Sequence, residues 1–270
     1  MDNIGKHMIH NFEHYLLEDC PYGDETTELL GIEGTGTLKI MSRDPGVAAC
    51  TDDLAELYQQ KGLTVINYLD NGKAFEGGAT LFEAKGDLRQ LFKLWRVSQT
   101  FLSMVCAIAG MTKSMVDAAR KVNPDVVIAT SRKTHPGFRE YELKAVRMAG
   151  GDHHRNSLSD SILITQNHFN VVGSFSKLIA MKKIEIEPRT EEEAFQYAPL
   201  ADVLLLDHYS PDELKEVVPK LKALNPKLEI AVGGINIKDI PKYAEAVDIV
   251  VSTAPYYAKP LDLTTKIENV

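Results

Sequence analysis

The chain has 270 residues, enough to bury a sizeable core and more than most single domains carry, so one large α/β barrel or two units on one chain are the natural readings. Hydrophobic residues make up 44% and charged residues 25%, and the net charge of -8 argues against a surface built for nucleic acid or an anionic membrane. Any cationic binding region must be local.

The first twenty residues mix apolar side chains with acids and histidines, which predicts an amphipathic helix rather than a signal peptide. Short, glycine-bounded, β-prone segments follow (GTGTLKIMSR, GVAAC, GLTVINYL, ATLFEAKGD), with the helix-like TDDLAELYQQK among them. Together they read as an α+β layer. From about Gln90 to Lys121 the pattern predicts a long helix with Gly110 as a candidate break and Pro124 as its stop. Its most apolar run, Phe101 to Met111, is far shorter than the roughly 20 residues that cross a bilayer, so no membrane association is expected. Cys20, Cys50 and Cys106 lie far apart and lack the spacing of a zinc site or disulfide framework, which fits a reducing, cytoplasmic setting.

Beyond Pro124, short apolar runs (VVIATS, SILIT, KIEIE, VLLLD, EIAV, DIVVS) alternate with helical segments. Buried parallel strands joined by right-handed crossovers predict a (β/α) barrel, with an open doubly wound sheet as the alternative. The expected division is an N-terminal α+β domain over 1–105 and a barrel over 106–255, with the tail 256–270 rejoining the first domain.

In a parallel barrel, ligands gather where the strands end. VVIATS runs into Arg132 and Lys133, KIEIE ends at Glu187, VLLLD ends at Asp207, EIAV runs into Gly233 and Gly234, and DIVVS runs into Thr253. Cations and glycine amides ahead of a helix suit phosphate oxygens. Two carboxylates beside them make electrostatic sense where Mg²⁺ bridges acid and phosphate, so a magnesium-bound phosphate ester is the expected guest. Each piece alone has a plainer reading, as solvated loop charge, helix cap or simple turn; their co-occurrence at successive strand ends favours a site. His153 and His154 are adjacent and point opposite ways in extended backbone, so one is expected to meet the ligand and the other to pack.

The segment SRKTHPGFREYELKAVRMAGGDHHRNSLSDSILITQNH resembles the core signature of the quinolinate phosphoribosyltransferase family, the nicotinate-nucleotide pyrophosphorylases. LLEDCPYGDETT, MSRDPGVAAC, LLLDHYSPDEL and AVGGINIKDIPKYAE are similar to further motifs of that family. The resemblance implies an N-terminal α+β sandwich-like domain packed with an α/β barrel of the type II phosphoribosyltransferase kind. It also implies a homodimer, or a higher assembly of dimers, in which one subunit's N-terminal domain closes the other's barrel. The implied activity is Mg²⁺-dependent transfer of phosphoribosyl from phosphoribosyl pyrophosphate (PRPP) to the nitrogen of a small heteroaromatic acceptor, with pyrophosphate released. Carried over motif by motif, Glu187 and Asp207 face the ribose hydroxyls and Mg²⁺, Lys133 the phosphates, and Gly233 and Gly234 the 5′-phosphate. Arg132, His154 and Arg155 hold the acceptor's acidic group, and Arg96 reaches the neighbouring subunit's site. No covalent nucleophile is implied.

Thr165 stands where the quinolinate enzymes carry a lysine, and the missing charge implies an about ten- to hundredfold weaker hold on a doubly acidic pyridine. Trp95, Thr100, His135, His208 and Val232 replace a glutamate, an asparagine, a threonine, an asparagine and a serine, and Tyr256 and Tyr257 alter the last strand loop. KLWRVSQTFL, SRKTHPG and STAPYYAKP are closer to the ModD branch, pyrophosphorylases associated with molybdate transport. Two other readings stand beside it: a true, decarboxylating quinolinate phosphoribosyltransferase that forms nicotinate mononucleotide, and a non-catalytic protein binding an oxyanion or phosphorylated metabolite. Retention of both Glu187 and Asp207 counts against the last, because a pure anion receptor gains nothing from acids.

Overall fold

The computed structural model describes residues 4–178 and 180–270, with side chains from Phe12 onward. The chain divides into two compact units and crosses between them repeatedly: one holds the chain up to Met111 together with 135–150 and 255–270, the other 112–134 and 151–254. The boundary read near residue 105 is thus one of several crossings.

In chain order the first unit contains α1 (Ile4–Asp19), α2 (Glu25–Leu29), β1 (Thr35–Ser42), β2 (Gly46–Val47), α3 (Thr51–Gln60), β3 (Thr64–Tyr68), β4 (Ala74–Phe75) and β5 (Thr80–Asp87). Helix α4 (Leu88–Arg120) starts there and continues into the second unit. The second unit then contributes β6 (Val127–Thr130), after which α5 (Arg139–Met148) belongs again to the first. The rest of the second unit is β7 (Asp152–His153), β8 (Ile162–Ile164), α6 (Gln166–Val172), β9 (Ile184–Ile186), α7 (Glu191–Tyr197), β10 (Val203–Asp207), α8 (Pro211–Leu224), β11 (Glu229–Gly233), α9 (Ile240–Ala244) and β12 (Ile249–Ser252). Strand β13 (Leu263–Asn269) closes the chain.

In the first unit an antiparallel sheet runs in the order β13-β1-β5-β3. Alternation along β1 buries Leu38, Ile40 and Ser42, and these join Leu54 and Tyr58 of α3 and Leu91 and Leu94 of α4 in one core. Helix α4 passes through Gly110 without a break. A glycine in a helix interior costs about 1 kcal/mol against alanine, and the burial of Val105, Cys106, Ile108 and Ala109 around it outweighs that cost. It is the one described helix long and apolar enough to cross a membrane, and more than half of its most apolar window is buried within the protein.

Helix α5 is tied to α3 by a charge cluster. The Lys144 ammonium lies 2.9 Å from Asp52 and 2.8 Å from Asp53. Burial pushes the Asp53 carboxyl up to about 6 against the opposing pull of Lys144. Folded Asp53 therefore holds its proton more tightly than the unfolded chain, whose ordinary value is near 3.8, and its stabilising contribution is lost as pH rises from there through about 6. Asp53→Asn should remove this dependence, so its melting temperature should gain on wild type between about pH 4 and pH 6. A constant difference across that range would contradict the assignment.

The second unit is built on seven parallel strands in the order β7-β6-β12-β11-β10-β9-β8. All six apolar runs of the sequence are strands of this sheet, and the two-residue β7 is the addition. The outermost strands, β7 and β8, are not neighbours in it, so the sheet is a half-barrel rather than a closed cylinder. Ala129, Val203, Leu205, Ala231 and Val251 form one apolar face together with the partly buried Val127 and Ile249, and those that share a strand sit two apart along it. Ile128, Leu204, Leu206, Ile230, Val232 and Val250 occupy the opposite face and are also buried, as a parallel sheet covered on both sides requires. Strand starts are pinned by acids: Asp202 accepts the Ile184 N–H at 2.7 Å and Asp248 the Ile230 N–H at 2.8 Å.

Candidate active site

Because the seven strands run parallel, their C-terminal ends lie together, and a cavity of about 570 Å³ opens among the residues that follow them. Ser131, Arg132 and Lys133 come after β6, His154 and Arg155 after β7, and Glu187 after β9; Asp207 ends β10, Gly233 and Gly234 come at the end of β11, and Thr253 follows β12. Leu205 and Val251 of the inner face, with Leu163, supply the apolar part of the lining. Strand register sets the rim level: Asp207 pairs with Gly233, and Thr130 pairs with Ser252 on one side and His153 on the other.

The cationic side is held by short local bonds. Ser131 donates its backbone N–H to Ser252 at 3.1 Å, its hydroxyl lies 2.9 Å from that of Thr253, and the Lys133 N–H donates to Ser131 Oγ at 3.3 Å. Arg132 Nε is buried and has no hydrogen-bond partner. Such a donor costs about 1–3 kcal/mol until something accepts from it. Arg155 lies close enough that, after burial, the Arg132 charge is the main influence lowering its proton affinity. Two guanidiniums that repel each other around an unsatisfied donor define a place for an anion.

On the acidic side the His208 ring lies 3.1 Å from Asp207. Burial raises the Glu187 carboxyl above its ordinary value, the charges of Asp207 and Glu185 add to the rise, and Lys133 and His208 oppose it. Clustered carboxylates of this kind are hard oxygen donors suited to Mg²⁺. Among the described residues no group of three His, Cys, Asp or Glu side chains is arranged to hold a metal ion. Gly233 and Gly234 make room here. A side chain on Gly234 would meet His208 at 2.8 Å and Asp207 Oδ1 at 2.9 Å, and its φ of +67° is a conformation other residues resist. The turn leads into a single 3-10 turn (Ile237–Asp239) and the five-residue α9, so the glycine amides precede only short helical segments.

Comparison with known proteins gives the same assignment for both units. Family models for the N-terminal and C-terminal domains of quinolinate phosphoribosyl transferase match residues 24–106 and 108–266. The chain belongs to the quinolinate phosphoribosyltransferase family. It is therefore an enzyme of the phosphoribosyltransferase class. A protein of Methanothermobacter thermautotrophicus carrying the name nicotinate-nucleotide pyrophosphorylase (carboxylating) is 31% identical over 97% of this chain and all of its own length. A protein of Pasteurella multocida carrying the name pyrophosphorylase ModD is 29% identical over 95% of this chain and 96% of its own. The solved nicotinate-nucleotide pyrophosphorylase of Francisella tularensis superposes with a TM-score of 0.89 at 26% identity, covering 99% of this chain and 100% of that one.

Among the residues that the family resemblance singled out, the cavity gathers Arg132, Lys133, His154, Arg155, Glu187, Asp207, Gly233 and Gly234. Two lie elsewhere. Thr165, read as an acceptor contact, does not line it and instead caps α6: its backbone N–H donates to His168 Nδ1 at 3.0 Å and its hydroxyl lies 3.0 Å from the same atom. Arg96 lies in the first unit with its guanidinium 3.9 Å over the Trp95 ring, and lines a separate cavity there with Tyr15, Glu18, Phe101 and Phe138. Of the histidine pair, His154 faces the cavity while His153 lies 3.1 Å from its neighbour Asp152. His135 also has a local partner, the fully buried Glu142, which accepts its N–H at 2.9 Å and meets its ring at 2.6 Å. Tyr256 is part of the first unit's core, and Tyr257 is exposed.

One buried acid beside the site has no counterpart among the sequence expectations. Glu185 sits two positions before Glu187 on β9, on the same face by the period of a strand, and is 5% exposed. The alternation in KIEIE was the signal for it.

Proposed function

We propose that this phosphoribosyltransferase moves the phosphoribosyl group of PRPP, with Mg²⁺, onto the ring nitrogen of an acidic heteroaromatic acceptor, in the manner of the ModD branch. The observation that carries the reading is the division of one cavity into an orphaned arginine donor beside a second guanidinium and a pair of mutually repelling carboxylates. The arginine half keeps an unsatisfied donor, and the acidic half keeps Glu187 against Asp207 even with His208 and Lys133 nearby. A sugar polyphosphate with its cation relieves the acids, and an acidic ring relieves the arginines.

In this reading Lys133 and the amides of Gly233 and Gly234 bind phosphate oxygens, while Glu187 and Asp207 hold Mg²⁺. The ion would supply neutralisation of the departing pyrophosphate. Arg132, Arg155 and His154 grip the acceptor's acidic group and aim its ring nitrogen at C1 of the ribose. As the bond from C1 to the pyrophosphate oxygen breaks, its electron pair leaves with pyrophosphate, and the nitrogen lone pair forms the new bond. C1 passes through oxocarbenium character, so the residues contribute mostly alignment and preorganised charge. A homodimer in which Arg96 serves the neighbouring subunit's site completes the proposal; that arginine lines no part of the strand-end cavity.

The second reading is a quinolinate phosphoribosyltransferase proper. Near-equal identity to relatives of both names leaves it standing. What favours the first is the acceptor side, where Thr165 contributes no charge and caps a helix. Incubation with PRPP, Mg²⁺ and a panel containing quinolinate and singly acidic heteroaromatics should release pyrophosphate, with quinolinate at least about tenfold poorer than the best monoacid. Efficient conversion of quinolinate to nicotinate mononucleotide with loss of CO₂ would establish the second reading instead.

A further inference from the structure

Glu185 has no part in the chemistry just described, yet it occupies an expensive position. It lies inside β9 between Ile184 and Ile186, which face the other way, and its side chain is 6% exposed. An unpaired carboxylate there would cost several kcal/mol, and an aliphatic side chain would serve the strand better. Its charge also adds to the proton affinity of Glu187, against the interest of a cation site. Packing alone does not account for it.

Its partner is His154. The imidazole Nε2 lies 2.5 Å from Glu185 Oε1, and the His154 side chain is 8% exposed. The backbone N–H of His154 donates to Thr130 on β6 at 3.0 Å. The residue is thus fixed twice, its main chain by one strand and its ring by another. With Nε2 committed to a carboxylate, Nδ1 is the ring nitrogen left for the cavity that His154 lines. Glu185 also supports the charge of the adjoining Arg155.

We propose that Glu185 is a positioning residue for the acceptor: by holding Nε2 of His154 it presents Nδ1, alongside the Arg155 guanidinium, to the acceptor's acidic group. The proposal rests on the assignment of this side of the cavity to the acceptor. One ring nitrogen thus serves Glu185 and the other the ligand. Glu185 touches neither substrate.

The test uses Glu185→Gln, His154→Ala and the double variant of the full chain. With ¹⁵N-labelled histidine, the free wild-type protein should show a strongly deshielded imidazole N–H resonance that is lost in both single variants. Calorimetry with nicotinate as probe should show affinity about tenfold lower in Glu185→Gln, with PRPP affinity and melting temperature little changed. Adding Glu185→Gln to His154→Ala should cost nothing more, because the effect passes through the ring. Should the glutamine variant not fold, Glu185→Asp retains the charge but withdraws it from the imidazole and should show the same selective loss. Equal losses for PRPP and nicotinate, additive single effects, or an unchanged resonance would each overturn the proposal. Absence of any transfer from PRPP in wild type would instead count against the proposed function, and the resonance and the calorimetry would still decide the role of Glu185.

Discussion

Replacing Lys133 by alanine is expected to lower kcat/KM for PRPP about 100-fold while moving the melting temperature by less than about 2 °C. The two halves of that expectation have separate origins. Lys133 is exposed at the cavity edge, on a loop whose shape is set by backbone and hydroxyl bonds of Ser131, so its side chain carries little of the fold. Its charge, in contrast, is felt at Glu187, and in the proposed reaction it faces the place where pyrophosphate gains negative charge as it leaves. A fixed ammonium stabilises that developing charge more than it stabilises bound substrate, so the loss should fall on kcat as well as KM. Lys133→Arg keeps the charge but spreads it over a planar fork and should recover only part of the activity. Steady-state kinetics at saturating Mg²⁺ reads this directly. An unaltered kcat/KM in the alanine variant would remove Lys133 from the chemistry.

The half-barrel was legible because its central strands are four- or five-residue apolar runs buried on both faces, such as VLLLD and EIAV, and their ends fall on residues of one chemical kind after another. What stayed hidden was hidden for physical reasons. Strand β7 is two residues long, too short to show any period. Strand β13 carries only Leu263 and Ile267 as apolar residues, lies at the edge of the antiparallel sheet and is formed by pairing with β1, a contact more than two hundred residues away along the chain. Helix α5 reads as part of the barrel by position, but Tyr141, Ala145 and Val146 bury into the first unit's core and Lys144 is anchored on α3.

The site shows the same contrast. Arg132, Lys133, Asp207 and the glycine pair follow strands whose ends were plain in the sequence, so they converge as expected. Thr165 was placed by alignment with a lysine; the local chemistry of a threonine before a helix, with His168 three residues on, turned its side chain to capping. Glu185 was passed over because an acid inside an apolar strand looks like a break in the pattern. Only its contact with His154, thirty-one residues away, gives it a partner there.

The central claim is that Glu187 and Asp207 are present for the cation that accompanies PRPP rather than for the sugar phosphate alone. Titrating PRPP into wild type and Asp207→Asn by calorimetry, once with excess Mg²⁺ and once with a chelator, separates the two. With Mg²⁺ the variant should bind about ten- to a hundredfold more weakly, since a charged ligand of the ion is gone. Without it the order should reverse or vanish, because in the absence of a cation Asp207 only repels phosphate and raises the proton affinity of Glu187. An equal weakening under both conditions would contradict the account.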